Sequence, residues 1–222
     1  FIFLGTAFSV FIAILLNECS RKWQKRYQTL ILIPHLLSYV VVSYIAYAFL
    51  GAENGMINNQ ILRPLGLDPI PFYTEDKYWP FILVFVNIWK TFGYSSIIYF
   101  ASIIGIDRTY YEAAEVDGAS AWTQIWSITL PLLKPVLITM LLLSVGRILY
   151  SDFGLFYQVP MDSGMLFNTT NTIDTFVYRG LLQTNDLGRA AAANFIQSVM
   201  GFFLVLGANL IVRKVEKEYA LF

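Results

Sequence analysis

Apolar residues in this chain come in runs too long and too unbroken for the amphipathic helices or alternating strands of a water-soluble core. Five runs, at about 1–16, 28–50, 80–105, 131–153 and 189–212, stand out. A hydrocarbon layer about 30 Å thick is crossed by roughly 20 apolar helical residues. Each run therefore predicts a membrane span, the first a little short. In that first run Gly5, Ser9 and Ala13 recur every fourth residue, a spacing that lets helices approach closely in lipid. Pro34 falls near the start of the second run and predicts a kink or a first turn, with His35 beside it as a helix-end residue. Pro131 and Pro135 fall in the first turns of the fourth, where a missing N–H costs little. The expected fold class is an all-α integral membrane protein, a polytopic helical bundle forming one domain over residues 1–222.

The polar intervals set the orientation. A basic turn, NECSRKWQKR, follows the first run; long stretches at 51–79 and 154–188 are rich in Gly, Asn, Pro and acids. Within the second stretch Ile173, Phe176, Val177 and Leu181 have helical spacing, with Asn171 or Thr172 as cap, and predict a short amphipathic helix on the membrane surface. Lys and Arg mark the cytoplasmic ends of spans. Arg21, Lys22, Lys25 and Arg26, then Arg108 and Lys134, then Arg213, Lys214 and Lys217, place the segment 106–130 in the cytoplasm and the two long stretches outside. A first span that ends inside starts outside, so this parity predicts a further span ahead of Phe1.

Composition narrows the chemistry. With 57% hydrophobic residues, 14% charged and no net charge, no global field draws the chain to nucleic acid. A single cysteine, Cys19, and a single histidine, His35, exclude a disulfide framework and a cysteine/histidine metal cluster. No GxxxxGK[ST], HExxH or GxSxG pattern occurs, so no catalytic set and no cofactor site is expected in this chain.

The segment DRTYYEAAEVDGASAWTQIWSITLP, residues 107–131, concentrates charge, small residues and two tryptophans. Asp107 can cap a first short helix; Asp117-Gly118 supplies a turn; Ser120 can cap a second helix through Trp122, Ile125, Trp126 and Thr129, ending at Pro131. Two readings fit these residues alone: a hairpin with Glu112 paired to Arg108 one turn earlier, or a docking element offering Glu112, Ala113, Ala114 and Trp122 to a partner.

Glu112-Ala113-Ala114, three residues, Gly118, nine residues, Ile128, one residue, then Leu130-Pro131 resembles the EAA motif of the permease subunits of binding-protein-dependent ABC importers, and LPLLKP resembles their carbohydrate branch. The family's usual first helix is missing from the chain, in keeping with the parity argument. The resemblance implies an importer permease fold in a bacterial plasma membrane, crossed several times. It implies ATPase-coupling roles for Glu112, Ala113, Ala114, Asp117, Gly118 and Trp122. It also implies a second permease subunit, two cytoplasmic ATPase subunits holding ATP and Mg, and an extracytoplasmic substrate-binding protein, with a sugar, an oligosaccharide, as cargo. An ion-gradient-driven secondary transporter or channel is the alternative, and it predicts broken helices and acids inside the spans, which hold no central Asp or Glu.

Polar stripes inside the spans suggest where cargo passes. Asn87, Lys90 and Tyr94 share one face; Arg147, Tyr150 and Asp152 fall near the end of the fourth run, and Asn194 and Gln197 share a face of the fifth. They line a path, or they satisfy one another between helices, Arg147 pairing with Asp152.

Overall fold

Lipid offers the backbone no hydrogen bonds, so a spanning chain must close its own, and every regular element among the described residues is a helix or helical turn. The computed structural model describes residues 1–184 and 187–215. Lys217, used above for sidedness, and Asp186, one of the acids of the second long stretch, lie outside them. In order the helices are α1 Ile2–Glu18, α2 Arg21–Leu36, α3 Tyr39–Leu50, α4 Trp79–Ile104, α5 Arg108–Val116, α6 Ala121–Gln124, α7 Leu130–Gly146, α8 Phe167–Thr170, α9 Ile173–Thr184 and α10 Leu187–Val215. Three helical stretches, Asp76–Ile104, Ala121–Gly146 and Leu187–Lys214, are long and apolar enough to cross a membrane.

Two expected spans are corrected. The second, expected over 28–50, is two helices. Its basic turn is itself helical from Arg21, because Arg, Lys and Gln are good helix formers, and the Ser20 carbonyl accepts from the amides of Trp23 and Gln24. The break follows from Pro34, which cannot donate to the Leu30 carbonyl, and from Ser38, whose hydroxyl caps α3 by accepting from the Val41 amide at 3.3 Å. The fourth span, expected over 131–153, begins earlier and ends earlier. Helix runs without interruption from Ala121 to Gly146, past Pro131, and turns at Arg147–Tyr150. A wider, π-type turn over Ile125–Thr129 opens the helix just ahead of Pro131, where the ring would otherwise press on a carbonyl four residues back.

The chain divides into two compact units. One contains Phe1–His35, Ile88–Gly146 and the segment from Phe202; the other contains Leu36–Asn87 and Arg147–Gly201. The core of the first joins Val10, Ala13 and Leu16 of α1, Tyr99, Phe100 and Ile103 of α4, and Leu133 of α7. Ser9 and Ala13 of the small-residue repeat are buried, whereas a Cβ on Gly5 would meet nothing within 4 Å. The close approach is made instead at Gly93, where a Cβ would lie 1.8 Å from the Ile31 carbonyl oxygen.

In the second unit the two long stretches are folded against each other. Asn58 is fully buried and ties Ile70 with two hydrogen bonds, its amide also donating to the Gly51 carbonyl at 3.1 Å. The Trp79 indole donates to the Phe72 carbonyl at 2.6 Å, the Ser163 hydroxyl to that of Tyr73 at 3.0 Å, and the Asn168 amide to Asp76 at 3.2 Å. Thr172, not Asn171, caps α9: its hydroxyl accepts from the Thr175 amide while the Thr175 hydroxyl accepts from the Thr172 amide.

Gly93→Ala is expected to cost about 1–3 kcal/mol by overpacking and Gly5→Ala to fall within about 0.5 kcal/mol of wild type. Thermal melts of the detergent-solubilised protein compare them; equal melting would remove the α2–α4 backbone contact as a constraint.

Candidate functional site

The segment 107–130 is built from local chemistry. Asp107 caps α5, its carboxylate accepting from the Thr109 amide at 3.0 Å, and this bond, aided by the Thr109 hydroxyl, holds the carboxyl below its ordinary value. At the other end Gly118 takes φ +78°, the left-handed conformation that glycine enters most easily. There the Ala119 amide reaches the Ala114 carbonyl at 2.9 Å and the Gly118 amide that of Glu115 at 3.0 Å, the paired bonds of a Schellman closure. Ser120 then caps α6 by accepting from the Thr123 amide at 3.3 Å. A hydroxyl–hydroxyl bond of 3.0 Å between Tyr111 and Thr129 fastens α5 to the base of α7.

This fixed scaffold leaves most of the expected coupling residues exposed. Glu112 and Ala113 are exposed, and Glu112 makes neither the expected pair with Arg108 nor any other ion pair among the described residues. Val116 is 88% exposed and Trp122 68%, the latter set edge-on against Trp126 with centroids 5.8 Å apart. Asp117 is exposed at the turn and Ala114 half-buried behind it. A cleft of about 860 Å³ opens beside α5, with Arg21 and Lys25 of α2 among its lining residues together with Glu112 and Glu115. Exposed apolar side chains next to unpaired carboxylates are suited to a partner's surface.

The polar stripes resolve into separate arrangements. In the second unit Gln197 is 2% exposed, and its amide donates to the Leu149 carbonyl at 2.8 Å and to Asp174 at 3.4 Å, leaving its buried oxygen without a donor among the described residues. Asp174 accepts from both the amide and the hydroxyl of Ser151, at 2.6 and 2.7 Å. Tyr150 shares a 2.8 Å bond with Ser198, whose hydroxyl also donates to the Asn194 carbonyl. The end of the fourth run, the first turn of α9 and the middle of α10 thus form one polar junction. Asn87 is half-buried and the Asn194 side chain exposed. The Arg147–Asp152 pair is corrected: Asp152 accepts from the Tyr39 hydroxyl at 2.5 Å and the Leu155 amide at 3.3 Å, and Arg147 is exposed with no ion pair among the described residues. Asp152 is drawn away because Leu155 lies in the turn it begins.

In the first unit Lys90 is 7% exposed, and its ammonium donates to the His35 carbonyl at 2.9 Å and reaches that of Pro34 at 3.5 Å. These are carbonyls of the last turn of α2, where a cation also meets the negative end of the helix dipole. Tyr94, one turn on, stacks on the His35 ring with centroids 4.8 Å apart. Sequence reasoning missed Arg179, which bonds Asp162 at 2.6 Å, Thr175 at 3.3 Å and Asn171, and lies 4.1 Å from the Phe167 ring centroid. Its only sequence signal was a cation among the acids of the outer stretch.

Known proteins give this geometry a context. A model of the binding-protein-dependent transport system inner membrane component family matches residues 5–217. The polygalacturonan/rhamnogalacturonan transport system permease protein YteP of Bacillus subtilis is 34% identical over 215 residues, 94% of this chain and 64% of that one. Protein LplB of the same organism is 32% identical over 208 residues, 93% and 64% respectively. The chain spans a little under two thirds of the length of these curated relatives. A chain of a bacterial alginate ABC transporter, solved with an alginate pentasaccharide-bound periplasmic protein, superposes with a TM-score of 0.89 at 33% identity, covering 97% of this chain and 74% of that one.

Asp107→Ala should loosen α5 and speed tryptic cleavage after Arg108, with Asp107→Asn, also a capping residue, close to wild type. Because the folded carboxyl lies low, the cap's contribution is complete above the ordinary carboxylate pKa and is lost as pH falls through the lowered value. Cleavage of the Ala variant at the wild-type rate would mean that the cap does not hold this segment.

Proposed function

We propose a function from one plain premise: this chain belongs to the family of binding-protein-dependent transport system inner membrane components. It is a membrane-embedded, non-catalytic permease subunit of an ATP-driven ABC importer in the bacterial cell membrane, and it forms part of the path of an oligosaccharide. A second permease, two cytoplasmic ATPases that hold ATP and Mg, and an extracytoplasmic binding protein complete the transporter. Glu112, Ala113, Ala114, Asp117, Gly118 and Trp122 couple it to an ATPase. The observation that carries this reading is the exposed, unpaired Glu112 on a short helix locked at both ends. Movement of that helix by a closing ATPase passes through the hydrogen-bonded turn at Gly118 and the Tyr111–Thr129 bond into the single helix Ala121–Gly146.

Cargo chemistry favours an acidic saccharide. A structure at 33% identity and TM-score 0.88 belongs to a transporter for the acidic polysaccharide alginate. Arg147 is exposed and lies two and three residues ahead of Leu149 and Tyr150, which bond Gln197 and Ser198, whereas Lys90 already serves backbone carbonyls. Within the second unit Asn87, Tyr150, Asp152, Asn194 and Gln197 supply polar groups, and within the first Tyr94 supplies an aromatic face, of the kinds that sugars bind. The break between α2 and α3 is the one feature shared with gradient-driven carriers.

Glu112→Lys is expected to abolish co-purification of the ATPase while the chain stays inserted; retained ATPase would remove this residue from the docking contact. Vanadate should stop uptake, and vanadate-insensitive, ionophore-sensitive uptake would favour the gradient-driven reading. Arg147→Ala should lower uptake of uronate oligosaccharides about tenfold and spare neutral ones, since a charged hydrogen bond is worth about 1.5–3 kcal/mol. Lys90→Ala should impair both classes together with stability.

A further inference from the structure

The first half of α2 has a surface that the coupling site does not use. None of the residues of Arg21–Leu36 is buried, and none is acidic. At about 100° per residue its four cations separate into two pairs one turn long. Arg21 and Lys25, with Gln24 and Gln28, line the cleft beside α5; Lys22 and Arg26 do not, and lie on the opposite side with Trp23 and Tyr27. Those two rings stack with centroids 5.9 Å apart, and the Arg26 guanidinium carbon stands 5.0 Å from the Trp23 centroid. Lys22 and Arg26 have no ion pair among the described residues. Further along the same side the exposed residues become aliphatic, Leu30 and Ile33.

Cations, then paired aromatic rings, then aliphatic side chains is the order met on moving from water through the headgroups into the acyl region. A helix of this length, about 24 Å at 1.5 Å per residue, covers a leaflet's depth. A phosphate headgroup supplies the charge opposite to Lys22 and Arg26 while the acyl chain of the same molecule covers Leu30 and Ile33, so one lipid meets the whole graded face. We propose that Lys22, Trp23, Arg26 and Tyr27 form a binding site for the headgroup of an anionic phospholipid of the cytoplasmic leaflet. The site would hold whatever the transported cargo is.

The test uses the assembled transporter in phosphatidylcholine nanodiscs that contain a minor fraction of acyl-brominated lipid, either phosphatidylglycerol or phosphatidylcholine. The Trp23 signal is the difference between wild type and Trp23→Phe. Brominated phosphatidylglycerol should quench it about thirtyfold more effectively, the enrichment that roughly 1 kcal/mol for each of the two cations gives. The preference should fall with salt. Lys22→Gln with Arg26→Gln should reduce quenching to the phosphatidylcholine level, and the charge-keeping Lys22→Arg with Arg26→Lys should retain it. Equal quenching of wild type by both lipids would overturn the headgroup site. Absence of quenching by either would show that protein covers this face, and would overturn it too.

Discussion

A helix that stops at the membrane leaves carbonyls that hydrocarbon cannot satisfy, and the ammonium of Lys90 is what meets them at the end of α2. Other features of the first unit depend on that contact. Lys90 can reach the His35 carbonyl because α4 lies against α2 backbone to backbone, and it lies so close because residue 93 has no side chain. Tyr94 then covers the His35 ring from the next turn. A buried cation is costly in isolation; here the carbonyl oxygens accept its hydrogen bonds, and neither group is buried without a partner. The charge that stood out in the sequence as a candidate cargo contact therefore acts first on the backbone.

How far the sequence could be read depended on the range of the interaction. Caps and turns are decided within five residues, so Asp107, Gly118 and Ser120 could be assigned to their places from sequence alone, and their bonds follow. Apolar runs placed the long helices but not their ends. Nothing local announces that Ala121 and Gly146 belong to one helix, because the π-type turn that admits Pro131 has no sequence signature. Side chains on helical faces could be grouped, yet their partners lie far along the chain. Gln197 finds Leu149, Asp152 finds Tyr39, and Arg179 finds Asp162 only after folding. The Arg147–Asp152 pair failed for that reason: a neighbour in sequence lost to a tyrosine 113 residues away.

The outer stretches show a similar substitution of distant for local contacts. Their Gly, Asn and Pro content reads as loop, and much of it is turn, but Asn58 and Trp79 are as buried as any core residue. Asn58, in a helical turn at Ile57–Leu62, ties its stretch together by bonds to four backbone groups. On the second stretch Arg179 acts through side chains, bonding Asn171, Thr175 and Asp162, the last in a left-handed conformation that a non-glycine residue rarely adopts. Such side-chain brackets give a surface of fixed shape without strands or long helices.

The continuous helix from Ala121 to Gly146 also explains why a count of residues could serve as a signature. Each residue added to or removed from a helix turns everything beyond it by about 100°. One residue gained or lost between Trp122 and Pro131 would leave Trp122 facing its old direction while swinging Leu133 out of the core formed with α1 and α4. The interval is thus an angular setting, and a substitution there is tolerated more readily than a single deletion.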